Sequence, residues 1–560
     1  MVNLPEKQAV SDRRDATSNI IRGLGCHESY HMAMGVLGQY RGTLLACRYY
    51  PPAGLTGPEN TESLKGRFYK AVVRVVLAQP HLQTGVVGET SKKPKFTRLE
   101  RIELGKHIKW VQLDDSKDVE ALYLETLTAD LDAKFEDIAT QPGWRIIVLH
   151  EPRSGRMDVI YDWDHSRHDG MSGKMFHEHL LRNLNNNKAA SNKIPLRNAE
   201  DDPGQWVIDL PGFSDKLPPP AEAILPFPCS VSTLVKDIWR EAKPPALFPP
   251  GDAYAKWAPI KTEPYKTRFR TFTIGHETVT KVIEACRQHQ TTVTGLINAL
   301  CLLSLSSELK EMKGFASRTP YDLRHFLPSR PSKYPWLEPK ETLCNYVSVL
   351  DQEWDASLVA QIRAQLPQAT APSVEEEEGA PPVTTASQPL PADLMDLVWS
   401  IAARVRHEIK AKLALGGRND VLAMMKLIPD WNDAMKTQAK RPRHLSWLVT
   451  NIGVLDGREG GEVGDGGTQG EIQANQNEEG QKHLQKKERA GGEIWSVRRA
   501  ELVLSTEVPA QAISVAVVTV KDEQMAITCS WGDAAVDAGV GERLVGDLER
   551  WLREIGSGGS

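Results

Sequence analysis

The 560-residue sequence lacks the features that define several classes of protein. Its seven cysteines are odd in number and form no CxxC pair, which argues against a disulfide framework or a structural zinc site and favours a reducing compartment. The N-terminus has no apolar signal-peptide core, and the most apolar run, 293–305, is interrupted by Asn298 and Ser304 and is too short to span a bilayer. We therefore expect a cytoplasmic protein without a membrane span.

An excess of charge of one sign is also lacking. The net charge is -5, from 68 lysines and arginines against 73 aspartates and glutamates, and the sequence contains no basic stripe. Nucleic acid is therefore not expected as a partner. The sequence also contains no glycine-rich phosphate loop. The length is sufficient for substantial hydrophobic cores and favours two large lobes.

What the sequence does contain is a predicted strand, turn and helix around one histidine. Apolar residues at the odd positions of 157–163 alternate with Asp158, Asp162 and Asp164, which predicts a half-buried strand whose apolar face continues to His165. The alternation stops before Asp169-Gly170, a pair typical of turns. Beyond it apolar residues recur at helical spacing, with Ser172 available as the helix cap. The imidazole of His165 is therefore predicted to point inward at the end of a strand.

His165 and Asp169-Gly170 together form an HxxxDG motif, and further segments accompany it in a fixed order. They are RGLGCHESY at 22–30, LGQY at 37–40, DLRHFL at 322–327, CNYV at 344–347 and VTNIG at 449–453. From about residue 22 to about residue 555 the chain resembles the chloramphenicol-acetyltransferase-like, CoA-dependent acyltransferases, and most of all the fungal alcohol acetyltransferase family. It departs from the pattern at Asp164, where many relatives have a second histidine.

The resemblance implies an α/β fold of two chloramphenicol-acetyltransferase-like lobes, each a mixed β-sheet with flanking helices, with an active-site channel between them. We expect an N-terminal lobe over 1–210, a proline-rich crossover with little regular structure over 211–264, and a C-terminal lobe over 265–560. Insertions at about 367–391 and 456–492 are poor in apolar residues, so both are expected to be disordered loops.

Periodicity predicts further elements in both lobes. These are helices over 20–37, 64–77 and 291–305, strands over 144–149, 268–274, 513–520 and 525–531, and a final amphipathic helix with Leu544, Leu548, Trp551, Leu552 and Ile555 on its apolar face.

The function implied by the resemblance is that of an EC 2.3.1 acyltransferase, an acyl-CoA-dependent O-acyltransferase. It would esterify a hydroxyl of an alcohol or of a secondary metabolite such as a terpenoid or polyketide, with acetyl favoured as the acyl group. Imidazole titrates near neutrality, so His165 can take the acceptor proton and return it to the leaving thiolate, a contribution of about 10² to 10⁴ in rate. Transfer would be direct, in a monomer with acyl-CoA as co-substrate and no permanently bound cofactor or metal.

Other residues are assigned by position. The resemblance implies that Asp169 is structural and pairs with Arg324, while Gly170 provides backbone clearance. Thr450 is the candidate oxyanion donor, worth roughly 3 to 4 kcal/mol, although a strand threonine is an equal alternative. Asn345 is a tunnel or loop residue.

A single basic cluster precedes Thr450 and is the candidate site for the CoA phosphates. Its members are Lys436, Lys440, Arg441 and Arg443. A solvated charged face is the alternative interpretation of such a run.

Three alternatives to free acyl-CoA chemistry stay open. A condensation-type relative would take its acyl group from a carrier-protein thioester, although no carrier-protein domain is attached. His168-Asp169 is formally an HD dyad of metal-dependent hydrolases, but a period-2 strand rather than a helix precedes it. An interaction scaffold would leave His165 as an ordinary core histidine.

Overall fold

The structure, a computed structural model, describes residues 19–113, 118–186, 195–198, 206–210, 216–242, 251–366, 390–458 and 494–558. The two predicted insertions lie almost wholly outside these residues, so their disorder stays a prediction. No helix within the described ranges is both long and apolar enough to cross a membrane.

The described residues before 243 form ten strands and seven α-helices. They are β1 Ile20–Gly23, α1 Cys26–Val36, β2 Gly42–Tyr50, α2 Thr61–Ala78, β3 Thr84–Val87, β4 Lys95–Arg98, β5 Arg101–Glu103, α3 Leu104–His107, β6 Ile108–Gln112, α4 Val119–Leu131, β7 Trp144–Glu151, β8 Arg156–Asp164, α5 Gly170–Asn185, β9 Leu196–Asn198, β10 Trp206–Asp209, α6 Ala221–Ile224 and α7 Val231–Ala242.

The described residues after 250 form the remaining elements. They are β11 Thr267–Gly275, α8 His276–Gln288, α9 Val293–Glu308, β12 Phe315–Asp322, β13 Val347–Trp354, α10 Ala356–Gln365, α11 Ala392–Ala414, α12 Val421–Met425, α13 Trp431–Gln438, β14 Trp447–Leu455, β15 Ser496–Leu504, β16 Ile513–Val520, β17 Gln524–Gly532 and α14 Ala538–Ser557.

The first lobe is built on a five-stranded sheet in the order β15-β2-β8-β7-β6. The β6–β7 pair is parallel and the other pairs are antiparallel, so the sheet is mixed. Side chains of α2 and α5 cover one face of this sheet, and side chains of α4 cover the other. Strand β8 lies at the centre and is therefore enclosed on both faces.

The prediction of a half-buried strand at 157–163 is wrong for this reason. The acidic side chains of β8 are buried too, with Asp158 only 2% exposed and Asp162 fully buried. Arginines of neighbouring strands compensate their charge, because Arg48 Nε donates to Asp158 Oδ1 at 2.7 Å and Arg145 Nη2 lies 2.5 Å from Asp162 Oδ2. One face of β8 is therefore apolar, and the other combines the ion pairs of Asp158 and Asp162 with apolar packing of Ile160.

The second lobe is built on a six-stranded mixed sheet in the order β11-β17-β16-β14-β12-β13. Strand β14 is parallel to both of its neighbours, whereas the other pairs are antiparallel. Its core is filled from α8, α9, α11 and α14, and the apolar residues predicted for the final helix lie in that core. Two mixed sheets with flanking helices agree with the expected α/β fold.

Two local predictions need correction. The opening segment is not one helix over 20–37: strand β1 comes first and α1 begins only after Gly25, whose backbone N–H donates to Glu28 Oε2 at 2.5 Å. The crossover also contains more regular structure than expected, because α7 falls in a stretch without proline. The lobe boundaries stay a prediction, and β15, although beyond residue 265, pairs with β2 in the first sheet.

Candidate active site

The turn after β8 is closed by the side chain of Asp169, which is the N-cap of α5. Its Oδ1 accepts hydrogen bonds from the backbone N–H and the hydroxyl of Ser172, at 2.8 and 2.9 Å. Ser172 was predicted to be the cap, but it is the third residue of the helix. The side chain of the residue just before the first helical turn can reach the backbone N–H of the third helical residue. Asp169 therefore acts as the cap, and Ser172 donates the hydrogen bond.

Asp169 also forms a buried ion pair with Arg324, from the turn that follows β12. Arg324 Nη1 donates to Asp169 Oδ2 at 2.7 Å, and each of the two side chains is only 3% exposed. The same oxygen accepts from the backbone N–H of Tyr346 at 2.8 Å. Burial raises the pKa of Asp169, but the Arg324 guanidinium and these hydrogen bonds outweigh it and hold the pKa below its ordinary value. Both carboxylate oxygens of Asp169 are thus engaged by protein groups.

Gly170 lies where α5 approaches strand β14 of the second lobe. A Cβ atom at this position would stand 3.0 Å from Ile452 Cγ2, closer than ordinary van der Waals contact. The glycine therefore permits the two lobes to pack closely beside the HxxxDG turn.

His165 lies between the end of β8 and that cap, with one face of its ring covered by a second histidine. The ring of His31, from α1, stacks on it with centroids 4.1 Å apart and planes inclined by 20°. Asn345 Nδ2 donates to the His165 carbonyl oxygen at 2.7 Å and lies 3.3 Å from His31 Nδ1. Asn345 therefore fixes the backbone of one histidine and contacts the ring of the other.

Burial dominates the electrostatics of the two histidines. It lowers the pKa of His165, against the opposing effects of the nearby carboxylates of Asp169, Glu507 and Asp164. Burial and then the like charge of a protonated His165 hold the pKa of His31 well below its ordinary value. Both imidazoles are therefore neutral at physiological pH, as a proton acceptor must be.

His165 opens onto a cavity of about 450 Å³ that residues of both lobes line. The first lobe contributes α1 and the HxxxDG turn, and the second contributes β12, β13, β14 and the segment around α13. Apolar lining residues include Met425, Trp431, Met435 and Leu448. A cavity of this size suits a small organic molecule.

Polar groups also line the cavity. Arg318 of β12 donates from Nε and Nη2 to the two carboxylate oxygens of Asp351, its cross-strand neighbour on β13, at 2.7 and 2.9 Å. Glu507, from the loop after β15, accepts from the hydroxyl of Tyr30 at 2.8 Å and from Gln511 Nε2 at 3.1 Å. The cavity therefore offers both an ion pair and a carboxylate to a bound molecule.

Thr450 lies on β14 and lines the same cavity as His165. The regular register of β14 ends just beyond it, where Gly453 adopts a positive φ of 77°. The structure thus brings the candidate oxyanion donor and the candidate base to one cavity, and the role of the threonine hydroxyl stays a prediction.

The predicted basic cluster does not stay together. Lys436 and Lys440 are exposed and Arg441 lines the cavity, whereas Arg443 is only 3% exposed. Arg443 donates to the carbonyl oxygens of Ala258, Ala510 and Gln511, and these bonds connect the segment between α13 and β14 to two loops. Arg443 is therefore structural, and the prediction that it contacts CoA is wrong because its donors are used inside the protein.

The HD dyad is not arranged as a metal site. His168 is fully buried with its Nδ1 3.3 Å from the hydroxyl of Tyr161, while both oxygens of Asp169 are held by the contacts described above. In the part of the chain that the structure describes, no group of three or more histidine, cysteine, aspartate or glutamate side chains is placed to hold a metal ion.

Sequence reasoning missed His31, Glu507 and Arg318. A signal existed for the first, because His27 and His31 lie four residues apart on one face of α1. Glu507 and Arg318 have no comparable signal, since their positions in the cavity depend on how distant strands assemble.

Comparisons with known proteins agree with the HxxxDG interpretation. The family model of alcohol acetyltransferase matches residues 110–336, which include the motif and Arg324. A probable alcohol acetyltransferase of Fusarium pseudograminearum is 25% identical over 97% of this chain and 96% of its own. Another, of Aspergillus fumigatus, is 22% identical over 86% of this chain and 88% of its own.

Solved structures share the fold. The trichothecene 15-O-acetyltransferase of Fusarium sporotrichioides superposes with a TM-score of 0.61 at 14% identity, covering 95% of this chain and 94% of its own. The condensation domain of the Monacolin K polyketide synthase superposes with a TM-score of 0.53 at 9% identity, covering 96% of this chain and 97% of its own. The family match and the relatives confirm the resemblance that the motifs predicted, and the solved structures confirm the fold: this chain is similar to the alcohol acetyltransferases.

Proposed function

We propose that the protein transfers an acetyl group from acetyl-CoA to a hydroxyl of a secondary metabolite, such as a terpenoid or polyketide, with His165 as general base. The observation that supports this most directly is the position of His165, a neutral imidazole in a cavity of about 450 Å³ between the two lobes. An alcohol becomes a competent nucleophile only as it loses its proton, and imidazole is suited to take it.

Transfer proceeds in a ternary complex without a covalent enzyme intermediate. His165 takes the proton of the acceptor hydroxyl while the hydroxyl oxygen attacks the carbonyl carbon of the thioester. The negative charge that develops on the carbonyl oxygen is stabilised by the Thr450 hydroxyl. When the carbon–sulfur bond breaks, the imidazolium returns the proton to the CoA thiolate, and the ester and free CoA leave.

Asp169 acts on this reaction through position alone. Its ion pair with Arg324 and its cap on α5 fix the C-terminal end of the turn that carries His165. Asn345 supports the same turn, because its amide donates to the His165 carbonyl oxygen.

His31 keeps the base neutral by covering one face of its ring. Burial is the main cause of the lowered pKa of His165, and the imidazole stacked at 4.1 Å excludes water from that face. Because the His31 ring is itself neutral, it shields His165 without adding a charge.

CoA would enter beside Arg441, which lines the cavity, with the exposed Lys436 and Lys440 next to its phosphates.

All seven cysteines are unpaired, which supports a reducing compartment such as the cytosol. We further propose that the enzyme acts as a monomer and needs no permanently bound cofactor.

The test is incubation of the purified protein with acetyl-CoA and an extract of hydroxylated fungal metabolites, followed by mass spectrometry. We expect metabolites that gain one acetyl group, together with release of CoA, with the wild type and not with His165→Ala. Equal products from the two proteins would contradict the role of His165. Transfer from an acetylated carrier protein but not from acetyl-CoA would instead identify a condensation-type donor.

A further inference from the structure

One carboxylate in the cavity wall remains without a cationic partner. Glu507 is partly exposed to the cavity, and its two hydrogen bonds come from neutral groups, the Tyr30 hydroxyl and the Gln511 amide. A carboxylate has about four acceptor positions, so about two remain on Glu507 for a further donor.

Arg318, which lines the same cavity, attracts Glu507 electrostatically, but its side chain is committed to another carboxylate. Two nitrogens of Arg318 are held by the two oxygens of Asp351 in a bidentate ion pair. Among the described residues, no lysine, arginine or histidine lies within ion-pair distance of Glu507. A carboxylate that has acceptor positions left and no ion pair can form charge-assisted hydrogen bonds with a ligand that supplies donors to it.

Glu507 also shares its cavity with the reacting centre. Its charge is close enough to oppose the effect of burial on the pKa of His165, and Tyr30, its partner, lies on α1 one residue before His31. A molecule whose hydroxyl reaches His165 therefore shares its cavity with the Glu507 carboxylate.

We propose that Glu507 binds a second donor group of the acceptor, so that the substrates of this enzyme are alcohols that also carry another hydroxyl or an ammonium group. The proposal rests on the proposed O-acyl transfer and adds the chemical class of the acceptor. The Tyr30 and Gln511 contacts hold the carboxylate in one orientation, and its remaining lone pairs then select acceptors with a matching donor. The apolar residues that line the cavity take the hydrocarbon part.

The selectivity is measured with three probe alcohols of equal chain length, hexanol, hexanediol and aminohexanol, each with acetyl-CoA. Esters are identified by mass spectrometry, and kcat/KM is obtained from CoA release. A charge-assisted hydrogen bond predicts that the wild type prefers hexanediol or aminohexanol over hexanol by about tenfold or more, beyond the twofold that a second reacting hydroxyl accounts for. The diol and the amine distinguish a hydroxyl from an ammonium as the donor that is bound.

Glu507→Gln keeps the shape of the side chain and removes its charge, and it is expected to abolish the preference for aminohexanol and to weaken that for hexanediol. Glu338→Gln is the matched control, because Glu338 pairs with Arg330 on the surface and does not line the cavity. A preference unchanged in Glu507→Gln, or a wild type that acetylates hexanol as well as the other two, would overturn the proposal. Lack of ester from all three alcohols would count against O-acyl transfer itself.

Discussion

Asp169 and Glu507 are two carboxylates beside one cavity, and their surroundings differ in almost every respect. Asp169 is 2% exposed and receives hydrogen bonds from Arg324, Ser172 and a backbone N–H. Glu507 is partly exposed and receives two bonds from neutral side chains. A carboxylate whose lone pairs are saturated by the protein supports the fold, whereas one with unused lone pairs is available to a ligand.

The largest effect is expected where the saturated carboxylate loses its charge. Asp169→Asn leaves the Arg324 guanidinium buried without its partner, at a cost of about 3 to 5 kcal/mol of folding free energy. Thermal denaturation should therefore show a clear fall in Tm, and activity should fall with it because the turn carrying His165 loses its support.

The double variant Asp169→Asn with Arg324→Leu tests whether the two residues interact. It is expected to recover part of the Tm without recovering the rate, while additive losses would show that they do not interact. The sign of the pH dependence is also fixed. Because the folded-state pKa of Asp169 is lowered, its contribution is complete above pH of about 4 and is lost as the pH falls through the folded-state pKa.

A loss confined to chemistry is expected at His165. His165→Ala removes the proposed base but no buried ion pair, so kcat should fall by at least about 100-fold while the Tm changes little. Retention of more than about a tenth of the wild-type kcat is incompatible with base catalysis by this residue.

A smaller effect is expected when the aromatic ring that covers His165 is removed. His31→Ala admits water to one face of the His165 ring, so the pKa of His165 rises towards its ordinary value. The acid limb of the kcat/KM profile should therefore move to higher pH, by less than about one unit. His31→Phe keeps an aromatic ring on that face and is expected to keep the wild-type profile. Identical profiles for the two variants would show that the stacked ring does not set the pKa.

The smallest effect compares an exposed with a buried cation of the same segment. Lys440→Ala should raise the KM for acetyl-CoA a few-fold, and less so at high salt, because an exposed charge is worth about 1 kcal/mol or less. Arg443→Met should lower the Tm and leave that KM unchanged, since its donors bind three carbonyl oxygens. If the KM for acetyl-CoA rose in Arg443→Met and not in Lys440→Ala, the assignment of Lys440 to CoA binding and of Arg443 to structure would be contradicted.

The comparison also shows which parts of the molecule a sequence can predict. The β8 strand, its turn and α5 follow from local periodicity, and the pairing of Asp169 with Arg324 followed from the family resemblance. The cap of α5 was misassigned by three residues because the turn ends in an aspartate rather than at the serine. Glu507 was missed because its place in the cavity depends on the path of the chain after β15, which no local pattern encodes.

The pairing of β15 with β2 sets the order in which the protein can be completed during synthesis. Ser496 pairs with Tyr50, so the first sheet keeps an open edge until almost the whole chain has left the ribosome. Contacts between such distant segments form slowly, and an unpaired edge strand is prone to associate with other chains. Expression of the first 210 residues alone therefore yields a fragment that lacks an edge strand of its own sheet.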